Sequence, residues 1–380
     1  MRVALLVPSI GVGAEIETPA VRVFAERMVR NVDLHVFTVH YPFAGELARE
    51  QRLTIHPAQQ NATRFARRLA STIRSISREH RRAPFDLIHA LWLHEPGTIA
   101  VVAATLLRRP LIASIGGAEV VALPDIAYGA LRDPRGRWMT AHVLQRATLV
   151  TGGSNYVLRR ARRLVPHRDP DSFRRAPLPI DAAPFAPSGK RVFDPLRPHL
   201  LHAASLIPVK NQPTLLRAMR RVVDVIPGAR LTIAGGDPLG LRRELEQLGT
   251  ELGLDGAVTF TGSMRHEQMQ TFYRDGDLFV QSSLHESQGL VVLEAGAAGV
   301  PTVGTAVGVV ADLAPECAVA VRPGDPVALA DGILNLLSDP ARLTRMGVRI
   351  RQRITDEYDR DSAGDRFLAL YDEAIGLPRR

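Results

Sequence analysis

A chain of 380 residues is long enough for two α/β domains with separate cores. Its 46% hydrophobic and 23% charged content is that of a globular protein, and the single cysteine, Cys317, excludes an intrachain disulfide framework and suits a reducing compartment. No apolar run approaches the ~18 residues of a membrane span, and Val3 to Val7 is too short for a signal-peptide core, so a cytoplasmic protein is expected. The net charge of +9 is uneven: residues 1–185 hold 26 Arg against 15 acids, and the remainder holds 22 basic and 24 acidic residues.

Arg2 to Val7 reads as a buried strand, followed by a loop with Gly11 and Gly13 and a helix from about Pro19 to Arg30. Glycines between a first strand and a first helix let backbone amides approach a phosphate or sugar, but G-x-G without its third glycine is no dinucleotide fingerprint. Asp33 to Val39 is the next strand, and Asn61 to Arg82 an amphipathic helix with Phe65, Leu69, Ile73 and Ile76 on its apolar face. Arg64, Arg67, Arg74, Arg78 and Arg81 form a second stripe. Its plain reading is a solvated face; its functional reading is contact with anionic lipid headgroups or an anionic acceptor. Phe85 to Ala90 is a strand leading past His89 to Trp92 and His94, and Pro96 opens a helix to Leu107. Leu111 to Ile115 ends in Gly116-Gly117-Ala118-Glu119; Leu149 to Thr151 leads through Gly152-Gly153 to Ser154, an N-cap for the helix from Asn155. Pro177, Pro179, Pro184, Pro187, Pro195 and Pro198 give residues 176–198 the composition of a linker near the midpoint.

The second half opens with strand Leu200 to Ala204, a loop from Ser205 to Asn211 that contains Lys210, and a helix from Pro213. Arg230 to Ala234 with Gly235-Gly236, and Val258 to Phe260 with Thr261-Gly262, repeat the strand-then-glycine theme. Asp275-Gly276-Asp277 has metal-site spacing, but Asp277 opens an apolar strand, so the pair is read as a cap and strand start without metal. That strand runs into a polar loop, Ser282 to Gln288, and then a helix of small and apolar residues from about Gly289 to Ala298, closed by Gly299 and Pro301. Glu294 is the one charge on that helix, and a buried carboxylate needs a hydrogen-bond partner. Glu286 stands eight positions earlier, where strand end meets helix start, the usual ligand edge of an open parallel sheet. Strand Ala318 to Val321 and helices over Pro326 to Leu337, 340–355 and 360–375 complete the chain.

Ser283, Glu286, Ser287, Gln288, Gly289, Glu294, Ala295, Gly299 and Pro301 together resemble the E-x7-E motif of family 4 retaining glycosyltransferases of the GT-B fold. The likeness is strong over 200–310 and loose before 180. It implies an α/β chain of two doubly wound, Rossmann-like domains facing a central cleft: an acceptor-side domain over 1–183, with a C-terminal helix over 360–380 packing back on it, and a nucleotide-sugar domain over 184–359. By this resemblance Glu286 faces the donor sugar and Lys210 offsets the diphosphate charge, as the catalytic pair. Glu294 takes the ribose hydroxyls, and Ser205, Gln288, Gly289, Leu290, Gly236, Phe260 and Gly262 line the donor site. Gly11, Gly13, Gly116 and Gly117 belong to acceptor or phosphate loops.

The implied reaction is hexosyl transfer from a UDP-, GDP- or other nucleoside diphosphate sugar, with no cofactor, metal or nucleic acid. From the basic first half and the Arg stripe, a lipid-linked or anionic acceptor and peripheral association at an anionic inner membrane face are expected. Two departures stand out. Gly116 replaces the family's His and Ser205 its Arg, so no catalytic His is carried over. They keep open a non-catalytic sugar-nucleotide-binding subunit. A sugar-nucleotide epimerase or phosphorylase of the same fold also stays open, although no lysine environment for a phosphorylase cofactor is evident. An NAD enzyme is disfavoured by the absent G-x-G-x-x-G. Product formation from a donor panel and nicotinamide binding separate these.

Overall fold

The computed structural model describes residues 1–10, 19–40, 53–58, 64–187 and 193–377. Contacts divide the chain into two compact units, one of residues 1–180 with 360–380, the other of residues 181–359. The division falls three residues before the 183/184 boundary expected from the prolines. Arg274 of the second unit donates to Pro184 O at 2.6 Å and Phe185 packs edge-on against Tyr273, which fixes the segment after Ile180 to the second unit.

The first unit alternates β1 (Arg2–Val7), α1 (Pro19–Met28), β2 (Asp33–Thr38), β3 (Leu53–His56), α2 (Phe65–Arg82), β4 (Leu87–Leu91), α3 (Glu95–Leu107), β5 (Leu111–Ile115), α4 (Pro134–Arg146), β6 (Leu149–Gly152), α5 (Asn155–Leu164) and β7 (Phe173–Arg175). The strands form one parallel sheet in the order β3-β2-β1-β4-β5-β6-β7. Both faces are covered, which is why β1, β4 and β5 read as near-continuous apolar runs, broken inside the strands only by His89 in β4 and Ser114 in β5. Alternation along β1 sends Ala4 and Leu6 into one core and Val3, Leu5 and Val7 into the other. Phe65, Leu69, Ile73 and Ile76 of α2 pack on the first core, and Arg64, Arg67, Arg74, Arg78 and Arg81 are exposed.

The second unit repeats the winding with β8 (His199–Ala203), α6 (Gln212–Val225), β9 (Arg230–Ala234), α7 (Arg242–Glu251), β10 (Val258–Gly262), α8 (His266–Arg274), β11 (Leu278–Gln281), α9 (Leu290–Ala297), β12 (Thr302–Thr305), α10 (Val310–Leu313), β13 (Ala318–Val321), α11 (Pro326–Leu337) and α12 (Pro340–Glu357). Its parallel order is β10-β9-β8-β11-β12-β13. Asp325 and Asp339 start α11 and α12 by accepting backbone N–H groups, each with proline in the first helical position. The small residues of α9 let α12 lie close, since a Cβ on Gly296 would press on Ile350 and Ile354.

The last helix, α13 (Arg360–Gly376), belongs to the first unit. Phe367, Leu370, Tyr371 and Ala374 join the core of β1 and α1, and the Arg27 guanidinium of α1 pairs with Asp361 at 2.9 Å and with Asp365. Inside the sheet, His89 Nδ1 meets Tyr371 Oη at 2.8 Å and His89 Nε2 meets Ser114 Oγ at 2.7 Å. Burial pushes the His89 imidazole down to about 3, so it is neutral and can bond both ways.

The short edge strands β3 and β7 were not anticipated from sequence, because four and three residues carry too little periodicity to separate a strand from a loop.

Candidate active site

In each sheet the strand order reverses once, between β1 and β4 and between β8 and β11. Ligands of open parallel sheets bind outside the strand ends at such points. In the second unit the two loops flanking this point carry Lys210, after β8, and Glu286, after β11.

The loops are tied together. Leu284 N donates to Val209 O at 2.8 Å and Ser282 Oγ to Lys210 O at 2.8 Å. Lys210 Nζ bonds Glu286 Oε1 at 2.6 Å, and Ser283 Oγ donates to the same oxygen at 2.8 Å. The side chains of Lys210 and Glu286 keep 22% and 12% of their surface exposed, enough for a ligand to reach both. An ammonium has three N–H donors and Glu286 takes one of them. His202, at the end of β8, lies under the pair; it bonds Val280 O at 2.9 Å, and burial pushes it down to about 4, so it adds no charge.

Gly289 has φ +96 and forms the N-cap of α9, one residue shorter at each end than the helix expected from sequence. Only glycine adopts that backbone without strain, and a Cβ there would also crowd Gln281 Nε2 at 3.1 Å. From this turn Val292 N bonds Gly289 O at 3.0 Å, while the N–H groups of Leu290 and Val291 precede the first bond within α9. Gln288 O accepts Val309 N at 2.7 Å, which anchors the turn to the loop after β12.

Glu294 lies one turn further into α9, half-buried. Tyr273 Oη donates to its Oε2 at 2.8 Å. Burial raises the carboxyl to about 7 while that hydrogen bond opposes the rise, so the group titrates near neutrality. Tyr273 is itself buried among Phe185, Phe272 and Phe279, and burial next to Glu294 raises its phenol well above the usual range.

Other residues expected at the site have these surroundings. Ser205 is exposed after β8, and its carbonyl accepts Ile207 N and Gln212 Nε2. Gly236 O accepts Leu206 N, and Gly262 O accepts Gly235 N. Phe260 lies inside edge strand β10, and its carbonyl accepts Arg242 Nη2 at 3.0 Å. That carbonyl is therefore already engaged by an arginine that no sequence pattern singles out. Asp277 Oδ2 accepts His199 N at 2.7 Å, tying β11 to β8. In the first unit Gly116 and Gly117 donate to the buried Glu119 carboxylate. Gly11 and Gly13 lie outside the described residues.

Residues 197–339 match the family model described as glycosyl transferases group 1. Over that segment the chain is similar to the group 1 glycosyl transferases. Over 325 residues the chain is 28% identical to a D-inositol 3-phosphate glycosyltransferase of Streptomyces avermitilis, covering 79% of this chain and 68% of that protein. It superposes with TM-score 0.78 and 23% identity on sucrose-phosphate synthase from Thermosynechococcus elongatus, over 98% and 99% of the two chains. It superposes with TM-score 0.74 and 16% identity on Anabaena HepE in complex with UDP-glucose, over 98% and 99%. These likenesses give the GT-B fold.

Among the described residues, one group of His and carboxylate side chains lies close enough to hold a cation: His35, His56 and Glu79. It sits by the β2–β3 edge and is internally bonded. His35 Nδ1 meets His56 Nε2 at 3.0 Å, Arg2 Nη2 meets His35 Nε2 at 2.9 Å, and Arg82 pairs with Glu79 at 2.8 Å. Two arginines beside it disfavour a dication. No helix among the described residues is long and apolar enough to cross a membrane.

Sequence reasoning brought Lys210, Glu286, Gly289 and Glu294 to the fore, and the structure gathers the first two into one bonded pair. It missed Tyr273, which a helical aromatic pattern alone marks as core, and Ser283 as a partner of Glu286. It also missed Glu119, whose carboxylate closes a turn from three residues away.

Proposed function

We propose that the protein is a retaining hexosyltransferase that moves a sugar from a nucleoside diphosphate sugar to an acceptor without a cofactor or metal. The observation that carries the reading is the Lys210–Glu286 pair, bonded across the second unit's switch point beside the N-terminus of α9. Glu294 accepts the ribose hydroxyls through the oxygen that Tyr273 leaves open. The two remaining Lys210 N–H groups and the first N–H groups of α9 face the diphosphate. They stabilise the negative charge that develops as the nucleoside diphosphate departs. Glu286, oriented by Lys210 and Ser283, holds hydroxyls of the sugar. The departing phosphate takes the acceptor's proton, so the new bond forms on the face from which the leaving group departs. Gln288, Gly289 and Leu290 give backbone groups to sugar and phosphate, and Ser205, Gly236, Phe260 and Gly262 line the nucleotide. Gly116 and Gly117 shape the acceptor side.

The D-inositol 3-phosphate glycosyltransferase named above and the UDP-glucose complex of HepE support a sugar-nucleotide donor and a phosphate-bearing or otherwise anionic acceptor. The exposed Arg stripe of α2 supports docking of the first unit on an anionic membrane face, where a lipid-linked acceptor resides.

Incubating the protein with UDP- and GDP-sugars and following nucleoside diphosphate release tests the central reading. Release of the diphosphate, by transfer or by slow hydrolysis, is expected. Glu286→Gln should lower that rate far more than nucleotide affinity. Tight sugar-nucleotide binding with no turnover would instead make the protein a binding subunit. Liposome co-sedimentation should rise with anionic lipid and fade with salt, because charge is screened beyond ~10 Å at 0.1 M; indifference to both rejects the docking.

A further inference from the structure

The loop after β4, at the switch point of the first unit, holds a side chain to which the transfer reading gives no part. Trp92 is the first residue beyond β4 and has φ +75. A left-handed backbone is rare for a bulky side chain and costs ~1–2 kcal/mol. The surroundings enforce it. Trp92 N donates to Ser114 O at 3.0 Å, and the Glu119 carboxylate collects Leu93 N at 3.2 Å, Gly116 N at 3.0 Å and Gly117 N. These bonds lock the loop after β4 to the turn after β5. The indole lies over Gly116, where even a single Cβ would overlap its five-membered ring. Glycine at 116 is therefore the condition for the ring's position. The ring is half-buried and packs on the core beneath α1 and α13, and its Nε1–H has no partner among the described residues.

We propose that Trp92 is an acceptor-binding platform, its indole stacking on the C–H face of a cyclic polyol, a pyranose or cyclitol ring, while Nε1–H donates to a ring hydroxyl. This deepens the transfer reading and rests on it in taking the acceptor to lie on the first unit. The chemistry selects the ligand class. An aromatic face carries negative charge density that attracts the slightly positive C–H groups of a sugar face and repels a bare anion. A ring presents several such groups in one plane, whereas an open-chain polyol presents none in fixed array. A side chain that only filled core space would not need a strained backbone.

The chain has two tryptophans, and Trp138 is 60% exposed on α4, so Trp138→Phe leaves Trp92 as the reporter. This variant is titrated with methyl α-glucopyranoside, myo-inositol and, as the open-chain control, glycerol; UDP-glucose and GDP-mannose serve as donor probes. A saturable emission change with a ring probe and none with glycerol is expected. Calorimetry on the full chain should show the ring probe weakened by about tenfold or more in Trp92→Gly and by less than about threefold in Trp92→Phe, since Phe keeps the stacking face. Glycine relieves the backbone strain, so a folded Trp92→Gly protein is expected by its melting temperature, and its loss of binding isolates the indole. In the Trp138→Phe background, Gly116→Ala should displace the ring and shift its emission without any ligand. Unchanged ring-probe affinity in Trp92→Gly, or saturation without an emission change, overturns the platform. Donor binding with no ring-probe binding also overturns it and leaves the transfer reading standing. Failure of donor and ring probes alike sinks both.

Discussion

The two sheets share one strand order apart from the extra edge strand β7 of the first, yet their switch points are furnished in opposite ways. In the second unit the loops after β8 and β11 meet through a salt bridge, Lys210 to Glu286 at 2.6 Å, with Ser282 and Ser283 as struts. In the first unit the loops after β4 and β5 meet through a buried acid, Glu119, whose carboxylate is consumed by three backbone N–H groups. Over that glycine turn lies the half-buried indole of Trp92. A charged pair suits a charged ligand that can compete for one of its members; an aromatic ring suits an uncharged ring. On the readings proposed above, the first kind of crevice would take a diphosphate and the second the apolar face of an acceptor.

Removing the charge from the second switch point should produce the largest effect. Lys210→Ala should lower turnover by on the order of 10²–10³, the scale for one preorganised stabiliser, and leave Glu286 with Ser283 as its hydrogen-bond partner. Single-turnover kinetics check this, and a loss under about threefold would remove Lys210 from charge stabilisation. Breaking the first switch point should register as stability. Glu119→Ala strands three backbone donors and should cost about 3 kcal/mol, read from denaturant unfolding of the full chain. Little change there would mean the turn needs no anchor.

Glu294→Gln comes next, with nucleoside diphosphate affinity falling about tenfold, or 1.4 kcal/mol, in a folded protein. Its pH signature is distinct. A carboxyl at about 7 when folded, against the ordinary 4.5, contributes stability that is full below about pH 4.5 and is lost as pH rises through 7. Wild type should therefore lose melting temperature relative to Glu294→Gln as pH rises from about 5 to 8, because the folded chain holds this proton more tightly than the unfolded one. Parallel curves would contradict a raised carboxyl. The smallest effect belongs to Tyr273→Phe, which removes one hydrogen bond from Glu294 and should weaken nucleotide binding by about threefold to tenfold, ~1 kcal/mol. Calorimetry at pH 7 and 8 resolves it, because the loss of that donor should move the Glu294 titration upward.

The sequence by itself determined the layered α/β architecture, because strands covered on both faces must be apolar throughout and helices must carry one apolar stripe. It also marked Glu286, Gly289 and Glu294 through short-range spacing and a charge on an otherwise apolar helix, whereas Lys210 stood out only through the family resemblance. Contacts between distant loops were not legible. Lys210 and Glu286 are 76 positions apart, Tyr273 and Glu294 are 21 apart, and Leu93 and Glu119 are 26 apart. No local pattern reports such separations. Gly116 looked from sequence like the loss of a polar side chain; the tertiary structure makes it the space for Trp92, a steric fact carried by two strands packed side by side. Local propensity writes the elements into the chain, whereas the pairing of loop side chains across a switch point exists only once the sheet has brought the strand ends together.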